Sequence, residues 1–428
     1  MKRKAVLVLA AALSLQAATM GELFDALRKH PATEMDAMQA VAAELAARKV
    51  TDAFYPSASL YATFEHYNSP TNLRPMSPAE SVKMAGEGRP YPFATTIERI
   101  GAKVQMPIFA KELFDLADKA RAMAKSARLK KRLNFLQNEA LLVGSDASWR
   151  YLEGLKAAMR ARRRSIEKTL EDVRLKVESG RAPGIAVDKL EATLANLDTA
   201  INDIDIKTLK LRSTIEALTG ISLDSPVALT RKGNLDEARL FPLEPLKWQV
   251  DAKERALDAT RSKLYPRVGL SAFWSENYGQ SAVGFKEGLN DDVSRGYGNY
   301  MVAVTVPLFE KPLYTEIERA KVEVKKERFR LAKSSQELSA KAGALRASLP
   351  LYERSEALAR KSVESQKKLL EYAKVAFDTG RIIEEEYLRY EEKLLDAQSR
   401  ALEARAKYWQ ALAELAVLYG NDLSELVE

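Results

Sequence analysis

One pattern governs what this chain can fold into: it is written twice. Tyr55-Pro56 returns as Tyr265-Pro266, and Met106-Pro107-Ile108-Phe109 returns as Val306-Pro307-Leu308-Phe309. Gly180-Arg181 returns as Gly380-Arg381, and Leu218-Thr219-Gly220 returns as Leu418-Tyr419-Gly420. The offset is 210 residues for the first match and 200 for the other three. Four matches in one order at nearly constant spacing mark an internal repeat. The first copy therefore carries ten extra residues within Tyr67–Thr95, a change in loop length that costs little.

Each copy has the same layout. A helical segment (Glu22–Ala53, Lys247–Leu264) is followed by two short alternating runs around a loop rich in Pro, Gly, Asn and Ser. A very long helix, a turn at the Gly-Arg pair and a second long helix complete the unit. In Ser57–Tyr67 the even positions are Ala58, Leu60, Ala62, Phe64 and His66. In Arg99–Phe109 the even positions Ile100, Ala102, Val104, Met106 and Ile108 are all apolar. Val268, Leu270, Ala272 and Trp274 share one face of Arg267–Asn277, and Tyr300, Val302, Val304, Val306 and Leu308 share one face of Gly298–Leu308. Period two is the strand signature. Each run has about the 9–11 residues of a tilted transmembrane strand. Tyr67, Tyr278, Tyr297 and Tyr300 suit an interfacial aromatic girdle. Alternation alone also fits two hairpins packed on a soluble core.

The helical stretches are periodic and free of breakers. No Pro falls between Pro107 and Pro183, and one helix over Lys111–Ser179 would run roughly 100 Å. Leu190, Leu194, Leu197, Ile201, Ile204, Leu211, Ile215 and Leu218 form a heptad seam, with Thr208 in the missing slot. Leu388, Leu395 and Leu402 recur every seven residues, with Trp409 next. Gly220 and Gly420 read as helix C-caps. Pro350 breaks the symmetry, standing where the first copy has Arg150, and predicts a kink or break.

Lys2, Arg3 and Lys4, the apolar run Ala5–Leu15 and the small residues Ala17, Ala18 and Thr19 read as a secretory signal peptide over residues 1–19. Removing the three basic residues lowers the formal charge from +8 to +5, and an exported chain has little access to nucleic acid. The basic stretches Arg128–Arg132 and Arg160–Arg164 then read as solvated helix faces. The chain has no Cys, which removes disulfides, thiolate metal sites, Cys nucleophiles and a lipidated N-terminal Cys. His30 and His66 are its only His, too few for a His-built zinc site, and neither sits in a nucleophile motif. Composition leaves carboxylate-only catalysis open, but no phosphate loop or metal cluster is present, so we expect no enzyme and no cofactor.

Strands that span lipid must close into a barrel of at least eight, and one chain offers four. If they span, the protein is an oligomer sharing one barrel: two copies give eight strands, three give twelve. The long helices continue directly from Pro107-Ile108-Phe109 and Pro307-Leu308-Phe309, so a shared barrel would extend into a shared tube of helices.

This arrangement resembles the TolC-like outer-membrane efflux proteins of Gram-negative bacteria. The resemblance rests on the leader, His30-Pro31 ahead of the first helix, Tyr-Pro opening and Pro-Ile/Leu-Phe closing each hairpin, both Gly-Arg turns and the terminal Leu-Tyr-Gly. It implies an α+β membrane protein: a homotrimer sharing a 12-stranded β-barrel in outer-membrane lipid and a long periplasmic α-helical barrel of coiled-coil hairpins. Residues 20–220 and 247–428 would be the two repeats, with 221–246 a linker. It also implies a passive exit duct of a tripartite efflux or type I secretion system. Such a duct is docked through a periplasmic adaptor to an inner-membrane pump of the RND, ABC or MFS type. The lack of Cys departs from the lipoprotein branch.

The resemblance places adaptor-docking tips at Gly180-Arg181 and Gly380-Arg381. It places a periplasmic constriction at Glu384, Glu385 and Glu386, where threefold repetition would make an acidic ring. Arg389 stands where the family often has an acid, which leaves room for an Arg–Glu clasp at the entrance. Plain turns and a solvated charged face are the alternative readings of these residues. The rival for the whole chain is an exported periplasmic scaffold or adaptor without spanning strands. The cargo is not legible.

Overall fold

The structure is a computed structural model, and it describes residues 19–181, 183–280 and 292–428. The leader thus lies outside the described residues, apart from Thr19. The chain divides into two compact units that cut across the two repeats. Of the described residues, one unit holds those of 19–40, 127–246 and 331–428; the other holds those of 41–126 and 247–330.

The elements run in the order α1 (Met20–Arg28), α2 (Pro31–Asp52), β1 (Ser57–Asn72), α3 (Pro78–Gly86) and β2 (Phe93–Ala110), then α4 (Lys111–Glu178) and α5 (Ile185–Thr219). The second repeat gives α6 (Leu243–Ser262), β3 (Arg267–Gln280), β4 (Asp292–Thr305), α7 (Lys311–Asp378) and α8 (Glu384–Tyr419), with a short α9 (Leu423–Leu426) at the end. The first helical segment is two helices. Thr19 caps α1 in a reciprocal capping box with Glu22, and α2 starts afresh at Pro31, so His30-Pro31 opens the second helix rather than the first. The loop of the first hairpin, where the ten extra residues fall, contains α3. Its start is written as Ser77 at the N-cap, Pro78 at the first helical position and Glu80 in the first turn.

Pro350 does not break α7, which runs through it as one 68-residue helix. Leu349 and Tyr352 pack toward the core while Pro350 itself is exposed, so the carbonyl it orphans can be hydrated.

The helical unit has one large core. Met20, Leu23, Phe24 and Leu27 of α1 meet Leu142, Val143 and Trp149 of α4, Ile215 of α5, and Trp409, Leu412 and Ala416 of α8. Each fully buried Leu, Ile, Val, Phe or Met among them stabilises by about 1.5–3 kcal/mol. The seam read in α5 faces inward: Leu197, Ile204 and Ile215 are buried, and so is Thr208 in the odd slot. Gly154 lets α4 approach α8 closely, because a Cβ there would lie 2.4 Å from Leu402 Cδ1.

Two carboxyl groups on one face of α4, two helical turns apart, pin the outlying segments to this core. Glu139 accepts a hydrogen bond from the Leu423 amide at 3.0 Å, and Asp146 accepts one from the Val227 amide at 2.7 Å. The segments they hold are joined to each other, with Thr230 N donating to Glu428 O at 2.8 Å and Glu428 N donating to Thr230 O at 3.0 Å. Burial, reinforced by the neighbouring Asp422, pushes Glu139 up to about 8. Burial pushes Asp146 up to about 6.

Both groups are raised above their unfolded values of 4.5 and 3.8. Their stabilising effect is complete below those values and is lost as pH rises through the folded ones. The thermal unfolding midpoint of the helical unit should therefore fall as pH is raised from about 4.5 to about 8 and level off above that. Glu139→Gln, which cannot ionise, should flatten the upper part of this slope in a calorimetric pH series.

Candidate functional site

The four strands form one antiparallel sheet in the order β1-β2-β3-β4. Their register pairs even with even: Ala62 faces Ile100, Ala102 faces Trp274, and Ala272 faces Tyr300. The even-numbered apolar residues of all four strands therefore share one face. Among the described residues nothing covers it: Leu60 is 86% exposed, Tyr300 84% and Val304 64%. Aromatic side chains bound the band. Phe64 and Tyr278 share one register level across Glu98, with Trp274 four residues nearer the helices and Tyr300 nearer still, opposite Ala272; Tyr55, Tyr265, Phe109 and Phe309 stand where strands meet helices. From Tyr265 to Trp274 a strand tilted near 40° rises roughly 23 Å, about the height of an outer-membrane apolar band. Two of the expected girdle residues lie elsewhere. Tyr67 donates to Glu65 at 2.8 Å, and Tyr297 packs edge-on against Phe273 at 5.3 Å, which puts both on the odd-numbered, polar face.

Among the described residues the outer edges of β1 and β4, strands of 16 and 14 residues, have no partner strand. Long unpaired edges beside an exposed apolar face are unstable in water and in lipid alike. Among the described residues no helix is long and apolar enough to cross a membrane.

The two helical turns are built alike. Gly180 and Gly380 have φ of +71° and +69°, a conformation in which a Cβ is strained. Arg181 N donates to Lys176 O and Gly180 N to Val177 O; Arg381 N donates to Ala376 O and Gly380 N to Phe377 O. Both turns are thus Schellman motifs. The side chains of Arg181 and Arg381 are exposed and form no ion pair among the described residues.

Glu384 opens α8, and its side chain lies outside the described set. Glu385 and Arg389 pair one helical turn apart along α8, and Glu386 is exposed. Within one chain, then, Arg389 is engaged by its own helix. Sequence reasoning missed what braces this turn. Phe377 stacks on Tyr387 with ring centroids 5.4 Å apart, joining the last turn of α7 to the first of α8.

Arg160–Arg164 is not merely a solvated face. Arg163 pairs with Asp198 of α5 at 2.7 Å, Arg164 with Glu391 of α8 at 2.9 Å and Arg162 with Glu392 at 3.5 Å. Exposed pairs are worth about 0–1 kcal/mol each, so they set register more than stability. No group of three or more His, Cys, Asp or Glu among the described residues could hold a metal ion.

The glycine turns give a graded expectation. Gly180→Ala has nothing within 4 Å of its new Cβ and should cost only the conformational strain, about 1–2 kcal/mol. Gly420→Ala adds a clash, because its Cβ would lie 2.8 Å from Phe241, and should lower the unfolding midpoint further than Gly180→Ala.

The sequence model of the family described as outer membrane efflux protein matches residues 238–421, the second repeat. No curated protein matches the chain by sequence. Among solved structures, the outer membrane protein VceC of Vibrio cholerae is similar at a TM-score of 0.69 and 15% identity, covering 94% of this chain and 96% of VceC. The CmeC outer membrane channel of Campylobacter jejuni is similar at 0.70 and 13% identity, covering 97% and 91%. The open-state MtrE outer membrane channel of Neisseria gonorrhoeae is similar at 0.65 and 14% identity, covering 95% and 90%. The chain thus carries an outer membrane efflux protein domain at residues 238–421, and over nearly its whole length it has the fold of the TolC-like outer-membrane channels.

Proposed function

We propose that this protein is the outer-membrane exit duct of a tripartite efflux or type I secretion system. The observation that carries the reading is the sheet: one apolar face left bare and two edges left unpaired. Both are satisfied at once if β1 of each copy pairs with β4 of the next and the even face meets lipid. Two copies would close eight strands, a barrel whose interior side chains just fill. Three copies close twelve and leave a lumen lined by the polar odd face, so we take the assembly to be a homotrimer.

In this reading the leader directs export and is removed. The helical hairpins enclose the periplasmic part of the duct. The turns at Gly180-Arg181 and Gly380-Arg381 offer unpaired guanidinium groups to a periplasmic adaptor, which links the duct to an inner-membrane pump. Glu384, Glu385 and Glu386 of three copies ring the periplasmic entrance, with Arg389 partly offsetting their charge through Glu385. The chain does no chemistry and conducts passively. A soluble periplasmic scaffold would have to leave Leu60, Tyr300 and Leu308 in water, which weighs against it.

Cell fractionation tests the reading: the protein should partition with the outer membrane as an oligomer, and recovery as a soluble periplasmic monomer would refute it. For the entrance, Glu385→Gln with Glu386→Gln should reduce cation preference in planar bilayers, read as a shift of reversal potential toward zero in a salt gradient. An unchanged potential would remove these residues from the conduction path.

A further inference from the structure

The ten extra residues of the first repeat are not absorbed by the duct reading, and the structure gives them a place. After β1 the chain turns back over the odd-numbered face of the sheet. The Leu73 carbonyl accepts from Asn277 Nδ2 of β3 at 2.7 Å and from Arg99 Nη1 of β2 at 2.9 Å. Arg99 and Asn277 are register partners on that face, so the Leu73 carbonyl, just past the Asn72–Phe93 pair that ends the ladder, folds back to their side chains.

The segment that follows is well held. Leu73 N donates to Pro92 O at 2.8 Å, Tyr91 donates to Ser81 O at 3.3 Å, and Arg74 pairs with Glu80. Leu73, Met84 and Ile97 are buried, as is Asn277. Arg74, Glu80 and Arg89 all lie within electrostatic reach of Arg295 on β4, in register with Asn277. Residues 73–92 therefore lean across the polar face from β1 as far as β4. The opposite, apolar face has no such cover.

We propose that the 73–92 segment with α3 is a second constriction, narrowing the lumen at the end of the sheet remote from the helix junctions. The inference rests on the duct reading, in which the odd face lines the lumen. A twelve-stranded barrel tilted near 40° has a backbone diameter of about 24 Å. An α-helix with its side chains is about 10 Å across, and three of them side by side need a circle of roughly 22 Å. The odd-face side chains take about 5 Å from each wall, so three copies of α3 do not fit side by side within the barrel and would crowd its mouth, leaving little open cross-section. The exit would then limit passage to small solutes or extended chains unless the segments part, independently of what happens at the helical turns.

The chain has no Cys, so a single introduced thiol reports alone. Val82 on α3 is 74% exposed, and Val82→Cys disturbs little packing. In the assembled full-length protein, a short bismaleimide should join Val82→Cys of different copies into covalent oligomers on a denaturing gel. Lys103→Cys, on the odd face nearer the helix junction, should not be joined, because there the lumen is open. An oligomer that lysine-directed reagents crosslink normally but in which Val82→Cys stays monomeric overturns the constriction while leaving the duct intact. A wild-type chain that lysine-directed reagents leave monomeric overturns the duct reading, and the constriction with it.

Discussion

The sheet depends on what meets the backbone edges of β1 and β4, which are unpaired among the described residues. A strand edge is a row of N–H and C=O groups, and each one left without a partner in lipid costs several kcal/mol. Four strands cannot curl far enough to satisfy their own edges, so the sheet is a fragment of a larger object. The same sheet leaves its apolar face uncovered, which demands a second solution. One arrangement answers both: a closed ring of copies with lipid outside. The interface it implies is head-to-tail, of the kind that closes into a ring when the rotation between copies allows it.

The helical unit meets its demands within a single chain. Its core takes residues from both repeats, with α1 and α4 from the first and α8 from the second. Glu139 and Asp146 fasten the C-terminal segment and the linker to α4 through backbone amides. A buried carboxyl group is an expensive anchor, tolerated because it meets an amide that would otherwise be orphaned. The duplication explains why four of the five positive-φ glycines among the described residues fall at matched places: Gly180 and Gly380 end one pair of long helices, and Gly220 and Gly420 end the other.

The parts legible in the sequence were those set by local geometry. Period-two alternation placed the bare face of the sheet residue by residue, and the register confirmed it by pairing Ala102 with Trp274 and Ala272 with Tyr300. The heptad seam of α5 and the C-cap glycines were legible for the same reason. Tyr67 and Tyr297 were misplaced because aromatic type was allowed to outweigh parity. Pro350 predicts a kink or break in α7; no break occurs, because on an exposed helix face the freed carbonyl can bond water. The capping signature of α3 was present in Ser77, Pro78 and Glu80 and was passed over inside a loop rich in turn residues. Glu139, Asp146 and the partners of Arg162, Arg163 and Arg164 were hidden, since a carboxylate in a charged helix reads as solvated until a second segment is seen to cover it. At the candidate entrance, the sequence named Glu385 and Arg389 but not that they pair along one helix, nor that Phe377 and Tyr387 brace the turn.

The closure of the sheet can be read directly. Within one chain the edges of β1 and β4 are three strand spacings apart, about 14 Å, well beyond the Cα separation of roughly 4–7 Å that a disulfide bridges. In this Cys-free protein, a cysteine scanned along β1 against one in β4 can therefore be oxidised only between copies. The account predicts a ladder of covalent dimer and closed trimer that stops at three. A chain that stays monomeric at every register, or a ladder that runs on past three, would contradict it.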